Sequence, residues 1–133
     1  MANALYTAFK QAAYDGTGLN LGTADVRAIL IDTGAYTVDL ASHDFLDDVP
    51  AGARIATVAL TGESWSGGVF DADDAVFTSV SGTTVEAVLL YIHTGVEGTS
   101  LLMAYIDTAT GLVLTPNGGD VTASWNASGI FGL

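Results

Sequence analysis

Thr84-Val-Glu-Ala-Val-Leu-Leu-Tyr-Ile-His93 is the stretch whose reading decides the fold. A run this short and β-branched, closed by Thr94-Gly95, is strand-sized and too brief for a buried helix of ordinary length. One side of it offers Val85, Ala87, Leu89 and Tyr91, and the other Val88, Leu90 and Ile92. Residues 101–106 are likewise apolar on both sides. A sheet with one solvated face alternates apolar with polar, as Val121, Ala123 and Trp125 do against Thr122, Ser124 and Asn126. Strands apolar on both faces need cover on both. Either an N-terminal helix with the rest of the chain supplies it, or another subunit does.

Outward from this stretch the period stays at two. Strands are predicted over 26–31, 54–60, 68–71, 75–80, 84–93, 100–106, 112–114 and 121–126, separated by breaks such as Thr61-Gly62, Ser81-Gly82 and Asn117-Gly118-Gly119. Thr61-Gly62-Glu63-Ser64 and Ser66-Gly67-Gly68 read as turns, and residues 42–46 as a single helical turn closed before Pro50. The first segment differs. Leu5, Phe9, Ala12 and Ala13 recur at helical spacing, Asn3 is placed to cap and Asp15-Gly16 to stop, which predicts a helix over 4–14 packed on a sheet. The expected fold is mainly β: one domain over 1–133, an antiparallel β-sandwich, jelly-roll-like, with a short N-terminal helix and strands from 26 onward. Too few helical segments separate the strands for a doubly wound parallel sheet.

Charge narrows the function. Fifteen acidic side chains face three basic ones, Lys10, Arg27 and Arg54, for a net charge of −12. Phosphate recognition needs clusters of Lys and Arg, so neither nucleic acid nor an anionic membrane is an expected partner. Net charge of one sign keeps a chain that is 50% hydrophobic soluble. The absence of cysteine removes disulfides, thiolate metal sites and cysteine nucleophiles together. The longest apolar run, Ala87–Ile92, is far short of a membrane helix, and residues 1–14 lack the basic-then-apolar order of a secretory signal.

No catalytic kit is evident. His43 beside Asp44, and His93 at a strand end, have no nucleophile elbow to serve, and neither a phosphate loop nor a dinucleotide fingerprint occurs. The chain is therefore expected to be no enzyme and to need no cofactor. Asp71, Asp73 and Asp74 are calcium candidates, since clustered carboxylates supply hard oxygen ligands, but the EF-hand pattern is missing and a solvated acidic turn explains them as well. Trp125 on its alternating strand is expected in the core. Trp65, between Ser and Gly residues, is expected to be the exposed aromatic and the residue through which a carbohydrate-binding module would work. Arg54 follows the acidic stretch 44–48 and is expected to pair with Asp47 or Asp48 and fix that loop.

A resemblance sharpens this. Asn3-Ala-Leu-Tyr6, Ile29-Leu-Ile-Asp-Thr33, Ala35-Tyr-Thr37, His43-Asp-Phe-Leu-Asp-Asp-Val-Pro-Ala-Gly-Ala-Arg-Ile-Ala56, Gly68-Val-Phe-Asp-Ala-Asp-Asp74, Ala104-Tyr-Ile-Asp107, Thr115-Pro-Asn-Gly-Gly-Asp120 and Trp125-Asn126 together span nearly the full chain. In these stretches the chain resembles small virion proteins encoded among the structural genes of tailed bacteriophages. The resemblance implies a copy-rich head-decoration (cement) protein on the capsid surface, with the major capsid protein lattice as partner and a homotrimer as the expected oligomer. The alternative is a tail-associated or fibre component whose β-sandwich binds host glycans. The resemblance brings no catalytic or ligand residues with it.

Overall fold

The computed structural model describes residues 4–15, 24–107, 112–125 and 129–132. The fold is mainly β, built from antiparallel sheets in a sandwich-like arrangement with one short N-terminal α-helix. The helix α1 is Thr7–Asp15, and the strands are β1 Ala4–Leu5, β2 Val26–Ile31, β3 Arg54–Ala59, β4 Ser64–Ser66, β5 Val69–Asp71, β6 Ala75–Phe77, β7 Ala87–Ile92, β8 Leu102–Ile106, β9 Val121–Ala123 and β10 Phe131–Gly132.

The main sheet runs in the order β1-β8-β7-β2-β3. Its register sets Leu30 against Val88, Leu89 against Tyr105 and Leu90 against Ala104. The doubly apolar strands lie at its centre. Every residue of β7 except Ile92, and every residue of β8 except Ile106, is buried within this one chain. Their second face is therefore covered internally, and the need for a covering subunit that the sequence left open is not there. In β2 only Arg27 escapes full burial, and it turns to Asp25 at 3.0 Å.

Two small sheets complete the sandwich, one ordered β10-β5-β4 and one pairing β6 with β9. The helix packs on β8 and buries Phe9, whose ring meets Phe131 of β10 edge-on at 5.7 Å. Phe131 in turn lies 5.4 Å from Phe70, so helix and small sheet close over a shared aromatic cluster.

Several local expectations are corrected. The helix does not begin at Ala4: Ala4 and Leu5 pair with Tyr105 and Ala104 as a strand, and Tyr6 N–H continues to Met103 O at 2.9 Å. The edge of β8 offers hydrogen bonds to these residues that a first helical turn would leave unmade. Residues Asn3 and Gly16, read as cap and stop, lie outside the described residues. The helical turn expected over 42–46 is displaced to two 3-10 turns, Leu46–Asp48 and Ala51–Ala53. Within 112–114 only Leu114 bridges, to Val85, and no strand forms. Ser64–Ser66, read as turn, is a strand joined to β5 by the two residues Gly67 and Gly68. Both glycines have positive φ, 60° and 79°, which is the twist a two-residue hairpin loop needs.

Candidate functional site

Three places gather polar or titratable side chains: the segment 36–54, the acidic turn 71–74, and a cleft beside Trp125.

In the first, Tyr6 and Tyr36 hydroxyls lie 2.8 Å apart in the interior, and Tyr36 meets His43 Nδ1 at 2.9 Å. The backbone N–H of Asp39 also points at His43 Nδ1, at 3.3 Å. A backbone N–H can only donate, so Nδ1 is an acceptor and the ring proton sits on Nε2. The chain then runs one way, with Tyr6 donating to Tyr36 and Tyr36 donating to His43. Burial pushes the Tyr36 hydroxyl up to about 12 and raises Tyr6 further, so neither is an acid or base near neutrality. The relay's chemical capacity is to lock the segment onto the sheet.

Arg54 supplies the second lock. Its Nε donates to Val49 O at 3.1 Å, and Nη2 donates to Leu46 O at 2.9 Å and also to Val49 O. The expected ion pair with Asp47 or Asp48 is not made; Nη1 and Nη2 each reach a Glu97 carboxylate oxygen at 2.9 Å instead. The 3-10 turn Leu46–Asp48 offers Leu46 O to Arg54 and the residue after it offers Val49 O, while Asp48 folds back to accept from Asp44 N–H at 2.9 Å. That backbone donor first, against some desolvation, holds the Asp48 carboxyl below its ordinary value. The loop-fixing role read from the sequence is thus carried by carbonyls that no sequence pattern displays.

The calcium candidates have separate partners. Asp71 accepts from Ala72 N–H at 2.9 Å, Asp73 from the Thr61 hydroxyl at 3.5 Å, and Asp74 from the Ser124 hydroxyl at 3.3 Å and Trp125 N–H at 3.4 Å. Among the described residues the carboxylates that converge are Asp44, Asp47 and Asp48, with oxygens all within 4.8 Å of one another. All three are acids, and Asp48 is already engaged by backbone N–H groups.

The two tryptophans exchange expectations in part. Trp65 is half-buried, its ring 4.1 Å from Phe70 and 6.1 Å from Phe131, so it is a structural member of the aromatic cluster and not the exposed platform expected. The hairpin explains it: once Ser64–Ser66 is a strand, Trp65 stands opposite Phe70. The signal that could have found this is the Gly67-Gly68 pair itself. Trp125 is half-buried beyond the end of β9, and its indole N–H donates to Asp73 O at 3.0 Å.

Beside Trp125 lies a partly open cleft of about 270 Å³. Leu30 and Val88 of the main sheet form its floor, Leu112 and Leu114 one wall, and the run 120–125 the other. Asp120 is among its lining residues, with its carboxylate accepting from Ser79 N–H at 3.0 Å. Among the described residues that line it there is no histidine, and the carboxylate is Asp120. What the cleft can do is bind. Among the described residues, no helix is long and apolar enough to cross a membrane. No protein-family model matches this chain, and a search of curated proteins finds no matching relative.

Proposed function

We propose that the chain is a non-enzymatic structural protein of a phage virion: a head-decoration (cement) protein that binds the outer surface of the assembled capsid and stabilises it. The observation that carries the reading is internal closure. Both faces of β7 and β8 are covered within a single small chain. A decoration protein has to fold in solution before it meets a finished lattice, and a self-covered sandwich meets that requirement.

Three further points support it. The sequence resembles small tailed-phage virion proteins over nearly its whole length. The hydroxyl relay and the Arg54 network hold loops in place. A charge of −12 favours a basic docking surface and steers encounter, while affinity on a lattice comes from apolar contact and many copies. The trimer belongs to the proposal on the resemblance alone, because the strands that argued for self-association are already covered. The glycan-binding alternative has lost the exposed Trp65 that a carbohydrate platform would have used.

Purified heads lacking the protein provide the test. They are expected to rupture at lower temperature than complete heads and to regain stability when the folded protein is added back. Heads that neither bind it nor change in stability would overturn the reading.

A further inference from the structure

The turn over residues 115–120 sets what the fold needs against the chemistry of the dipeptide that meets the need. Gly118 has a φ of 89°, a conformation that L side chains rarely adopt, so the turn requires glycine there. Asn117 is exposed and folds its carboxamide back over the following residues, where its Oδ1 accepts from Gly119 N–H at 3.0 Å. Asn117-Gly118 is the one Asn-Gly step in the sequence. The missing Cβ that lets Gly118 turn also leaves its backbone nitrogen unshielded by any side chain of its own.

Such an asparagine can be attacked by its own main chain. The Gly118 nitrogen bonds to Asn117 Cγ, the Cγ–Nδ2 bond breaks, and Nδ2 leaves as ammonia with the Gly118 amide proton. Water then opens the cyclic imide at either carbonyl and leaves aspartate or isoaspartate at position 117. Here the electrophile is prepared, because the bond from Gly119 N–H to Oδ1 draws electron density away from Cγ. The nucleophile is withheld. Gly118 N–H is donated to Val80 O at 2.7 Å, and Val80 N–H returns a bond to Gly119 O at 2.9 Å. Val80 is 2% exposed and anchors this clamp in the core. Asp120 ties the same two turns together, accepting from Ser79 N–H at 3.0 Å.

We propose that Asn117 is a self-modification site, deamidated through an imide with Gly118, and that the pairing of Gly118 and Gly119 with Val80 holds it latent. Conversion proceeds from the locally opened turn, at a rate set by the population of that open form. The change also locks the turn open. An imide nitrogen carries no proton to give back to Val80 O, and isoaspartate lengthens the main chain by a methylene just ahead of Gly118. Ser79, held at a φ of 51° that is costly for a residue with a side chain, then loses part of what keeps it there. The loosened turn leads straight into β9, whose Val121 pairs with Phe77. Water is the only reagent consumed, so the site is independent of any virion role.

The test follows isoaspartate at residue 117 in the full chain kept in mildly alkaline buffer, by peptide mapping and enzymatic methylation. A capped peptide copying residues 115–120 is followed beside it. The folded chain is expected to convert more slowly than the peptide by about tenfold or more, the weight of two backbone hydrogen bonds. In denaturing urea the chain is expected to convert at the peptide's rate. D120A removes the acceptor of Ser79 N–H and is expected to speed conversion several-fold in the folded chain but not in urea, while N117Q abolishes it. Amide exchange at Val80 is expected to quicken in the converted protein. Conversion of the folded chain at the peptide's rate, or none at Asn117 in urea, overturns the proposal. A D120A rate that is unchanged in the folded chain, or raised equally in urea, overturns it as well.

Discussion

Replacing Arg54 with alanine tests whether this side chain works through carbonyls or through its ion pair. The guanidinium, with 17% of its side chain exposed, donates to Leu46 O and Val49 O while its outer edge faces Glu97. Leu46 O also accepts from Val49 N–H at 3.0 Å, so it keeps one partner after the substitution, whereas Val49 O loses both donors Arg54 supplies. Charged hydrogen bonds contribute about 1.5–3 kcal/mol each, and the partial exposure and sharing argue for the lower end. Two carbonyls then give about 2–4 kcal/mol lost in R54A. At roughly 3–5 °C per kcal/mol for a domain of this size, melting falls by about 6–20 °C. E97Q removes only the exposed half of the arrangement and is expected to leave the urea midpoint nearly unchanged. R54K keeps the charge but loses the fork, and is expected to fall close to R54A. Urea denaturation of the three variants, with slopes compared, gives the ranking. Equal losses in E97Q and R54A would refute the carbonyl argument and return the role to the ion pair.

Y36F removes the acceptor of the buried Tyr6 hydroxyl and is expected to cost about 1–3 kcal/mol by urea denaturation, more than Y6F, which leaves Tyr36 still donating to His43; the reverse order would break the assigned direction of the chain. Acid is expected to destabilise the fold. Asp32 is held below its ordinary 3.8 by the Thr83 hydroxyl, Asp39 by Ser42 N–H and Asp48 by Asp44 N–H, while Glu97 is held below 4.5 by Arg54. Depressed carboxyls stabilise the folded state fully above those unfolded values, and the contribution is lost as pH falls through the folded ones. Urea midpoints measured stepwise are therefore expected to hold down to about pH 4.5 and drop below it, and a midpoint that rises there would contradict these assignments. Chelation of divalent cations is expected to leave melting unchanged, because Asp71, Asp73 and Asp74 have partners of their own; a large shift reversed by calcium would place an ion at one of the two acidic groups.

Hydrophobic period made the class of fold readable. Leu89 and Leu90 cannot both be buried in a strand unless each face has cover, so two layers were implied before any contact was known. The same period located β2, β3, β5, β6, β7, β8 and β9, because each pairs an apolar pattern with a nearby turn residue. Helical spacing wrongly drew Ala4–Leu5 into the helix, and period was silent on Phe131–Gly132; both are pieces too short to show a strand period, and their strand character comes from the edges they pair with.

What the chain by itself determined was composition-borne: a β-rich body, a strongly acidic exterior, and no cysteine chemistry. Tertiary structure decided everything that depends on which distant residue arrives. Arg54 chose Glu97, 43 positions away, over the neighbouring Asp47 and Asp48, because Leu46 O and Val49 O fix its guanidinium and Asp44 N–H holds the Asp48 carboxylate. Trp65 joined the aromatic cluster, half-buried, because a Gly-Gly loop folded it against Phe70. The cleft lies where Leu30 and Val88 of the main sheet come together with Leu112, Leu114 and the run 120–125, a meeting that no local pattern displays. Periodicity records what each residue needs from its surroundings, and only packing determines which partner meets that need.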